Sequence, residues 1–351
     1  MVHSGFQGMN TIAASWTRSL APLKSLQRNS NGCQVSRECE TAGSAWKPLA
    51  PESLSVKAFE LMGVKNLIDS LRRGLRRPEV RQNPIRAISR RLQWRRYWRH
   101  SAAPIILNPW WRNVKIALPN TSNSSLLFYR TLSDPSLACL LQTLLYPGMT
   151  FLDVGAHIGE FTLIGAHMVG STGRVCAIEP LPPCAESVRR NAAMNGMAHV
   201  SVFDGALCDY SGKIGFQSDH ERSAGWIATG KDQVVFEAPC WTLDDFLPIA
   251  GISKVDVIKL DAGGNELAVL RGGSNALEKS VLIMKLYHPD VTQERFGYRS
   301  HESVKLLLER GFQLKLMSAQ DAFPISRPED IDSHFDPLVY CHLLMATKNS
   351  R

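Results

Sequence analysis

In the last two thirds of the chain, short apolar runs alternate with stripes of helical spacing. Thr150 to Val154 is almost wholly apolar, and similar runs recur at 173–178, 199–203, 255–260 and 281–287. Between them, apolar residues return every three or four positions near 160–169, 183–195, 264–271 and 301–310. A strand that is apolar on both sides needs cover on both faces, which helix layers around a parallel sheet provide. The pattern therefore predicts an α/β fold with a doubly wound, mostly parallel sheet.

Two late runs, Gln313 to Met317 and Leu338 to Ala346, are separated by a loop too short for a helical crossover, so an antiparallel pairing is expected at one edge. Lys213 to Trp241 alternates and contains glycine, which reads as a β excursion between the third and fourth strands. Upstream, Val114 to Leu118 and Ser125 to Leu132 read as a strand pair. Asp134-Pro135 then opens a helix to about Leu145, with Asp as cap and Pro in the first turn.

The first third has a different texture. Residues 1–50 show little periodicity and are expected to be largely disordered, with room for a short helix from Glu52 to Leu71. Leu71 to His100 holds eleven Arg against one acid, Glu79. Pro78 and Pro84 break its first half. Ile85, Ile88 and Leu92 then share one helical face, with Trp94, Tyr97 and Trp98 among the arginines. One reading is a peripheral contact of the Arg/Trp segment 71–111 with an anionic membrane or polyanion. The other is a solvated linker helix whose apolar stripe packs on the body. The division expected is a basic extension over 1–100 and a body over 101–351.

Charge sharpens that division. The net charge of +8 splits into 18 basic and 6 acidic residues over 1–100, and 22 basic and 26 acidic over 101–351. An acidic body argues against a large nucleic-acid footprint there. No apolar run approaches the roughly 20 residues of a membrane-spanning helix. The N-terminus lacks the apolar stretch of a secretory signal. Its Arg- and Ser-bearing leader, without an acid before Glu38, reads as a disordered leader or as an organelle transit peptide. The eight cysteines form no C-x-x-C pair and read as reduced thiols of a cytoplasmic protein.

The strongest local signal is Phe151-Leu-Asp-Val-Gly-Ala-His-Ile-Gly-Glu-Phe-Thr162: a strand ending at an acid, a glycine turn, then a helix. In doubly wound sheets a ligand sits beside such a turn, at the carboxyl ends of the strands. A dinucleotide fingerprint would need glycine where His157 stands, and no Gly-Lys-Ser/Thr follows for a P-loop. A carboxylate at Asp153 suits a ligand with a cationic part and no phosphate, which describes S-adenosylmethionine. Glu179 ends the second strand 26 residues after Asp153 and can accept ribose hydroxyls. Asp204, in Asp204-Gly205-Ala206, ends the third and could accept an adenine amino group. The candidate cofactor contacts are therefore Asp153, Gly155, Ala156, His157 and Gly159 in the turn, with Glu179, Asp204 and Ala206 beyond it. No metal set is assigned.

With these residues in place, the sequence from Val114 to Thr347 resembles the FkbM-type S-adenosylmethionine-dependent methyltransferases. The resemblance rests on Pro147-Gly148, the Phe151–Gly159 turn, Ala177-Ile-Glu-Pro180, Ala206-Leu-Cys-Asp-Tyr-Ser-Gly212, Thr242-Leu-Asp-Asp245 and, above all, Val255 to Gly273. The last is similar to a Lys-x-Asp-x-Glu-Gly-x-Glu pattern. It implies a class I, Rossmann-like fold and methylation of a hydroxyl on a sugar, glycan or secondary metabolite. Gly263 stands where the family has Glu, although Glu266 is kept, and Lys285 stands for an acid ahead of His288.

Methyl transfer from a sulfonium needs an aligned acceptor and a base. Lys259 and Asp261 lie two apart on a strand and so share a face, and Asp261 is the expected partner of Lys259. His288, just past the fifth strand, is a candidate base. A nucleic-acid methyltransferase is a competing reading, weakened by Asp-Ala-Gly-Gly264, which offers no ring for a base to stack on. A degenerate cofactor-binding domain is another.

Overall fold

The computed structural model describes residues 83–218, 225–230, 233–318, 321–335 and 341–348. The expectations placed on residues 1–82 lie outside the described residues. A helix, α1 (Pro84–His100), leads into a hairpin of β1 (Ile105–Trp111) and β2 (Val114–Leu118). Helices α2 (Ser122–Arg130) and α3 (Pro135–Leu144) follow. A boundary between two compact units falls inside α1, after Leu92. Trp94, on the body side of it, is buried and packs on Phe128 and Tyr129.

The expected pairing of 114–118 with 125–132 is corrected here. Ser125 to Arg130 is helical because Thr121 caps α2, its side chain accepting from the Ser124 N–H at 3.1 Å. The strand partner is β1, whose Pro109 interrupts the apolar run. Proline is tolerated there because β1 is the edge of a two-stranded sheet. The helix expected after Asp134 is present, with the Asp134 carboxylate accepting from the Leu137 N–H at 3.0 Å.

The main body runs β3 (Thr150–Val154), α4 (Glu160–Val169), β4 (Arg174–Glu179), α5 (Pro182–Met194) and β5 (Val200–Asp204). The excursion follows as β6 (Ala206–Leu207), β7 (Gly212–Ser218), β8 (Gly225–Ile227) and β9 (Phe236–Trp241), a separate four-stranded sheet. The chain returns through α6 (Leu243–Ile249), β10 (Val257–Leu260), α7 (Glu266–Arg271), β11 (Val281–Tyr287), α8 (Pro289–Phe296) and α9 (His301–Glu309). It closes with β12 (Gln313–Met317), β13 (Ala322–Ile325) and β14 (Cys341–Thr347).

The central sheet has the order β13-β12-β14-β11-β10-β3-β4-β5. The five strands from β11 to β5 are parallel, and beyond them β14, β12 and β13 each pair antiparallel with the strand before. Strand parity assigns the two cores. Phe151, Val175, Val257 and Ile283 face α3, α4 and the β1–β2 hairpin. Leu152, Cys176, Ile258 and Leu282 face α6, α7 and α9. The chain leaves β3 toward β4 and later returns to its other side as β10, so the topological switch lies between β3 and β10. That crevice, at the carboxyl ends of the strands, is where an open α/β sheet receives a ligand. Among the described residues no helix is long and apolar enough to cross a membrane.

Candidate active site at the switch between β3 and β10

The glycine turn is built against the end of β10. Gly155 has φ +73°, and a Cβ there would lie 1.9 Å from the Asp261 carbonyl oxygen. The Asp261 N–H donates to the Val154 carbonyl at 3.1 Å, tying the two strand ends together. Gly155 and Ala156 N–H both donate to the Ile178 carbonyl, at 2.9 and 3.1 Å. Gly159, φ +91°, starts α4. His157 also has a positive φ, +53°, and its N–H donates to Glu179 Oε2 at 2.8 Å.

Glu179 is buried, and its Oε1 accepts from the Leu181 N–H at 3.0 Å. Burial pushes its carboxyl up to about 7, against the pull of those two hydrogen bonds. Each oxygen retains a second lone pair for a hydroxyl donor. Asp204 is the register neighbour of Glu179 but is exposed and ion-paired with Arg189 at 2.5 Å. Ala206, buried in β6, pairs with Cys240 of β9, so it links the site's rim to the excursion.

Asp153 does not open onto the turn as expected. It is fully buried, with Oδ2 accepting from the Thr162 hydroxyl at 2.6 Å and Oδ1 lying 2.9 Å from Lys259 Nζ. Lys259 Nζ also donates to the carbonyls of Gly155 at 2.7 Å and Val154 at 3.2 Å. Those three partners use all three ammonium protons. The expected Lys259–Asp261 pair is thus replaced by a Lys259–Asp153 pair under the glycine turn.

Asp261 has partners of its own: Lys285 Nζ at 2.7 Å from Oδ2, and the Tyr287 hydroxyl donating to Oδ1 at 2.8 Å. Burial alone would raise the Asp261 carboxyl, but Lys285 and Lys259 more than reverse this and hold it at about 2. Burial and Asp261 together push the Tyr287 hydroxyl well above the ordinary tyrosine range. Lys285 is half-buried and neutralised by Asp261.

His288 caps α8, its Nδ1 accepting from the Asp290 N–H at 3.3 Å, and its ring lies edge-on to Phe335. Glu266 is buried and accepts from the N–H groups of Ala262 at 2.8 Å and Gly264 at 3.2 Å. Burial, reinforced by Asp261, pushes its carboxyl up to about 8.

Several site residues escaped the sequence. Tyr287 carried a signal, since it lies two after Lys285 on one strand and shares its face. Glu160, directly after the glycine turn, is buried and hydrogen-bonded to the N–H and hydroxyl of Ser133. Burial pushes it up to about 7. Trp226 and Phe296 gave no signal, because no periodicity reports what a distant segment folds against. Trp226 Cδ1 lies 3.7 Å from where a Cβ on Gly263 would be, and Phe296 packs on Gly264. Rings therefore do flank the 261–264 loop, contrary to the expectation from its local sequence.

Residues 153–314 match the family model of the methyltransferase FkbM domain. Over those residues, a little under half of the chain, the protein is similar to the FkbM methyltransferases. The match begins at the buried Asp153 and ends in β12, inside the 114–347 span of the sequence resemblance. Among curated proteins, the chain is 28% identical over 89 residues to a probable cobalt-precorrin-6B C(15)-methyltransferase of Sulfolobus acidocaldarius. That alignment covers 25% of this chain and 46% of the relative, so the chain spans about half the length of that curated relative. Similar solved structures include the methyltransferase FkbM of Methylobacillus flagellatus KT, 15% identical, covering 66% of this chain and 56% of that one, TM-score 0.36. A precorrin-6y C5,15-methyltransferase of Geobacter metallireducens GS-15 is 11% identical over 62% and 90% of the two chains, TM-score 0.38. An S-adenosylmethionine-dependent O-methyltransferase of Thermotoga maritima is 16% identical over 71% and 79%, TM-score 0.37.

Proposed function

We propose that this FkbM-like domain transfers a methyl group to a hydroxyl of a sugar, glycan or small metabolite. The observation that carries the reading is the contact of Gly155 with Asp261: the glycine turn abuts the backbone of a residue whose carboxylate is held by Lys285 and Tyr287. When bound, S-adenosylmethionine supplies a methyl group already activated on a sulfonium.

The residues present fit that cofactor. Glu179, buried and with unfilled lone pairs, would hold the ribose, and Asp204 with Ala206 would border the adenine. Gly155 keeps the turn flat beside β10, where any side chain would strike backbone. Asp153 and Lys259 hold the turn from below through the Gly155 carbonyl, so they are positioning residues. Asp261 would accept a hydrogen bond from the acceptor hydroxyl and take its proton as the new C–O bond forms. Lys285 keeps Asp261 ionised for that role, and Tyr287 fixes its orientation. His288, committed through Nδ1 to the α8 cap, is less suited to the proton transfer.

A nucleic-acid acceptor is the second reading, favoured by the rings of Trp226 and Phe296 beside Gly263 and Gly264. The free thiols of Cys139, Cys176, Cys184, Cys208, Cys240 and Cys341 fit a reducing compartment such as the cytoplasm. Contact of the Arg-rich α1 with an anionic membrane or polyanion remains a proposal for the N-terminal segment. The full chain incubated with methyl-labelled cofactor and separate glycan, small-metabolite and RNA fractions tests the assignment. Label should enter glycan or metabolite as a base-stable ether; label confined to RNA selects the second reading.

A further inference from the structure

Among the described residues, the cations beside the switch are paired off, with one exception. Lys259 is held by Asp153 and Lys285 by Asp261. Farther out, Arg299 lies 3.8 Å from Asp290 and Arg271 lies 3.9 Å from Glu302. Arg295, in the last turn of α8, has no carboxylate or hydrogen-bond partner among the described residues. Its guanidinium carbon lies over the Trp226 ring, 4.9 Å from the centroid, and 6.0 Å from that of Phe296. Trp226 in turn lies against Gly263, two residues after Asp261.

This arrangement suits binding at an edge. Attraction to the indole holds the guanidinium over the ring without using any of its N–H groups. A guanidinium with unused N–H groups is the fork that matches a carboxylate or phosphate. Gly263, φ +66°, puts no side chain against the indole.

Resting on the methyl-transfer reading, we infer that the acceptor carries an anionic group, a carboxylate or a phosphate, held by Arg295 on the Trp226 ring while its hydroxyl is presented to Asp261. The anion is read by Arg295 and not by Lys285, whose charge Asp261 neutralises.

The test incubates the full chain and labelled S-adenosylmethionine with a metabolite extract and separates the labelled products by anion exchange. Label is expected in retained species, and phosphatase treatment separates the sources: phosphate esters lose retention and carboxylates keep it. Arg295→Gln should lower transfer to those species by about tenfold or more, the worth of one charge-assisted fork. Its affinity for S-adenosylhomocysteine, measured by calorimetry, should be unchanged. Arg295→Lys, which keeps the charge and loses the fork, should fall between, and it carries the comparison if Arg295→Gln fails to bind S-adenosylhomocysteine. Label only in unretained products, or transfer by Arg295→Gln at the wild-type rate, overturns this inference alone. No labelled product from any fraction overturns the methyl-transfer reading beneath it.

Discussion

Lys259 and Asp153 are register neighbours on adjacent parallel strands, with Nζ 2.9 Å from Oδ1 and both side chains buried. One strand further on, the same relation joins Asp261 to Lys285, beyond the register pair Leu260 and Met284. Two cross-strand ion pairs thus stand in series on one face of the sheet, one under the glycine turn and one beside the proposed acceptor.

The inner pair should govern stability. Lys259→Met leaves a buried carboxylate without its cation and should cost about 3–5 kcal/mol. Adding Asp153→Asn should recover part of that loss, as measured by urea denaturation of the single and double variants. A Lys259→Met protein of wild-type stability but without turnover would make Lys259 a catalytic group instead.

Glu179 should couple cofactor binding to protons. Its carboxyl stands at about 7, raised above its ordinary 4.5 by burial. Ribose hydroxyls donate to the ionised form, so binding near neutral pH should release protons, visible by calorimetry in buffers of different ionisation enthalpy. Glu179→Ala should weaken binding by about 1–3 kcal/mol. Affinity that does not change in this variant would remove Glu179 from the ribose site.

The pH dependence of stability should run in an unusual direction. Glu160 and Glu179 stand at about 7 and Glu266 at about 8, all raised by burial. A raised acid binds more protons folded than unfolded, so its stabilising contribution is full below 4.5 and lost as pH rises toward 7 or 8. Asp261, lowered to about 2, acts oppositely and loses its contribution as pH falls below 3.8. Denaturation midpoints of the cofactor-free protein should therefore fall between pH 5 and 8, and Glu266→Gln should flatten that slope. A slope unchanged in that variant would show that Glu266 does not titrate there.

Two glycines should answer alanine differently. At Gly155 the added methyl meets Asp261 backbone at 1.9 Å, so Gly155→Ala should abolish cofactor binding. At Gly263 the nearest atom is 3.7 Å away, leaving only the left-handed backbone strain of about 1–2 kcal/mol. Thermal denaturation and cofactor titration of both variants compare them directly.

The body's N-terminal limit should lie within α1. The described core includes Trp94 but no residue before it. Removal of residues 1–82 should leave a folded, cofactor-binding protein, whereas Trp94→Ala should cost about 3–5 kcal/mol. Insolubility of the shortened chain would place part of the core upstream.

By itself the sequence determined what local chemistry dictates. Apolar runs of strand length, alternating with helical stripes, can be buried only in a parallel sheet with helices on both faces. The glycine turn after Asp153 and the acid Glu179 at the end of β4 were legible as structural features because they follow from backbone conformation and strand ends. Tertiary structure alone decided which charge meets which. Lys259 and Asp261 share a strand face, but residues two apart along a strand are separated by roughly 6.6 Å, whereas adjacent strands lie about 4.8 Å apart. The cross-strand neighbour is nearer, so Lys259 takes Asp153 and leaves Asp261 to Lys285. Trp226 meets Gly263, and Arg295 meets Trp226, only through folding of the excursion and α8 onto the loop after β10. No spacing in the sequence encodes those contacts, since each joins segments whose separation is set by the packing of the whole sheet.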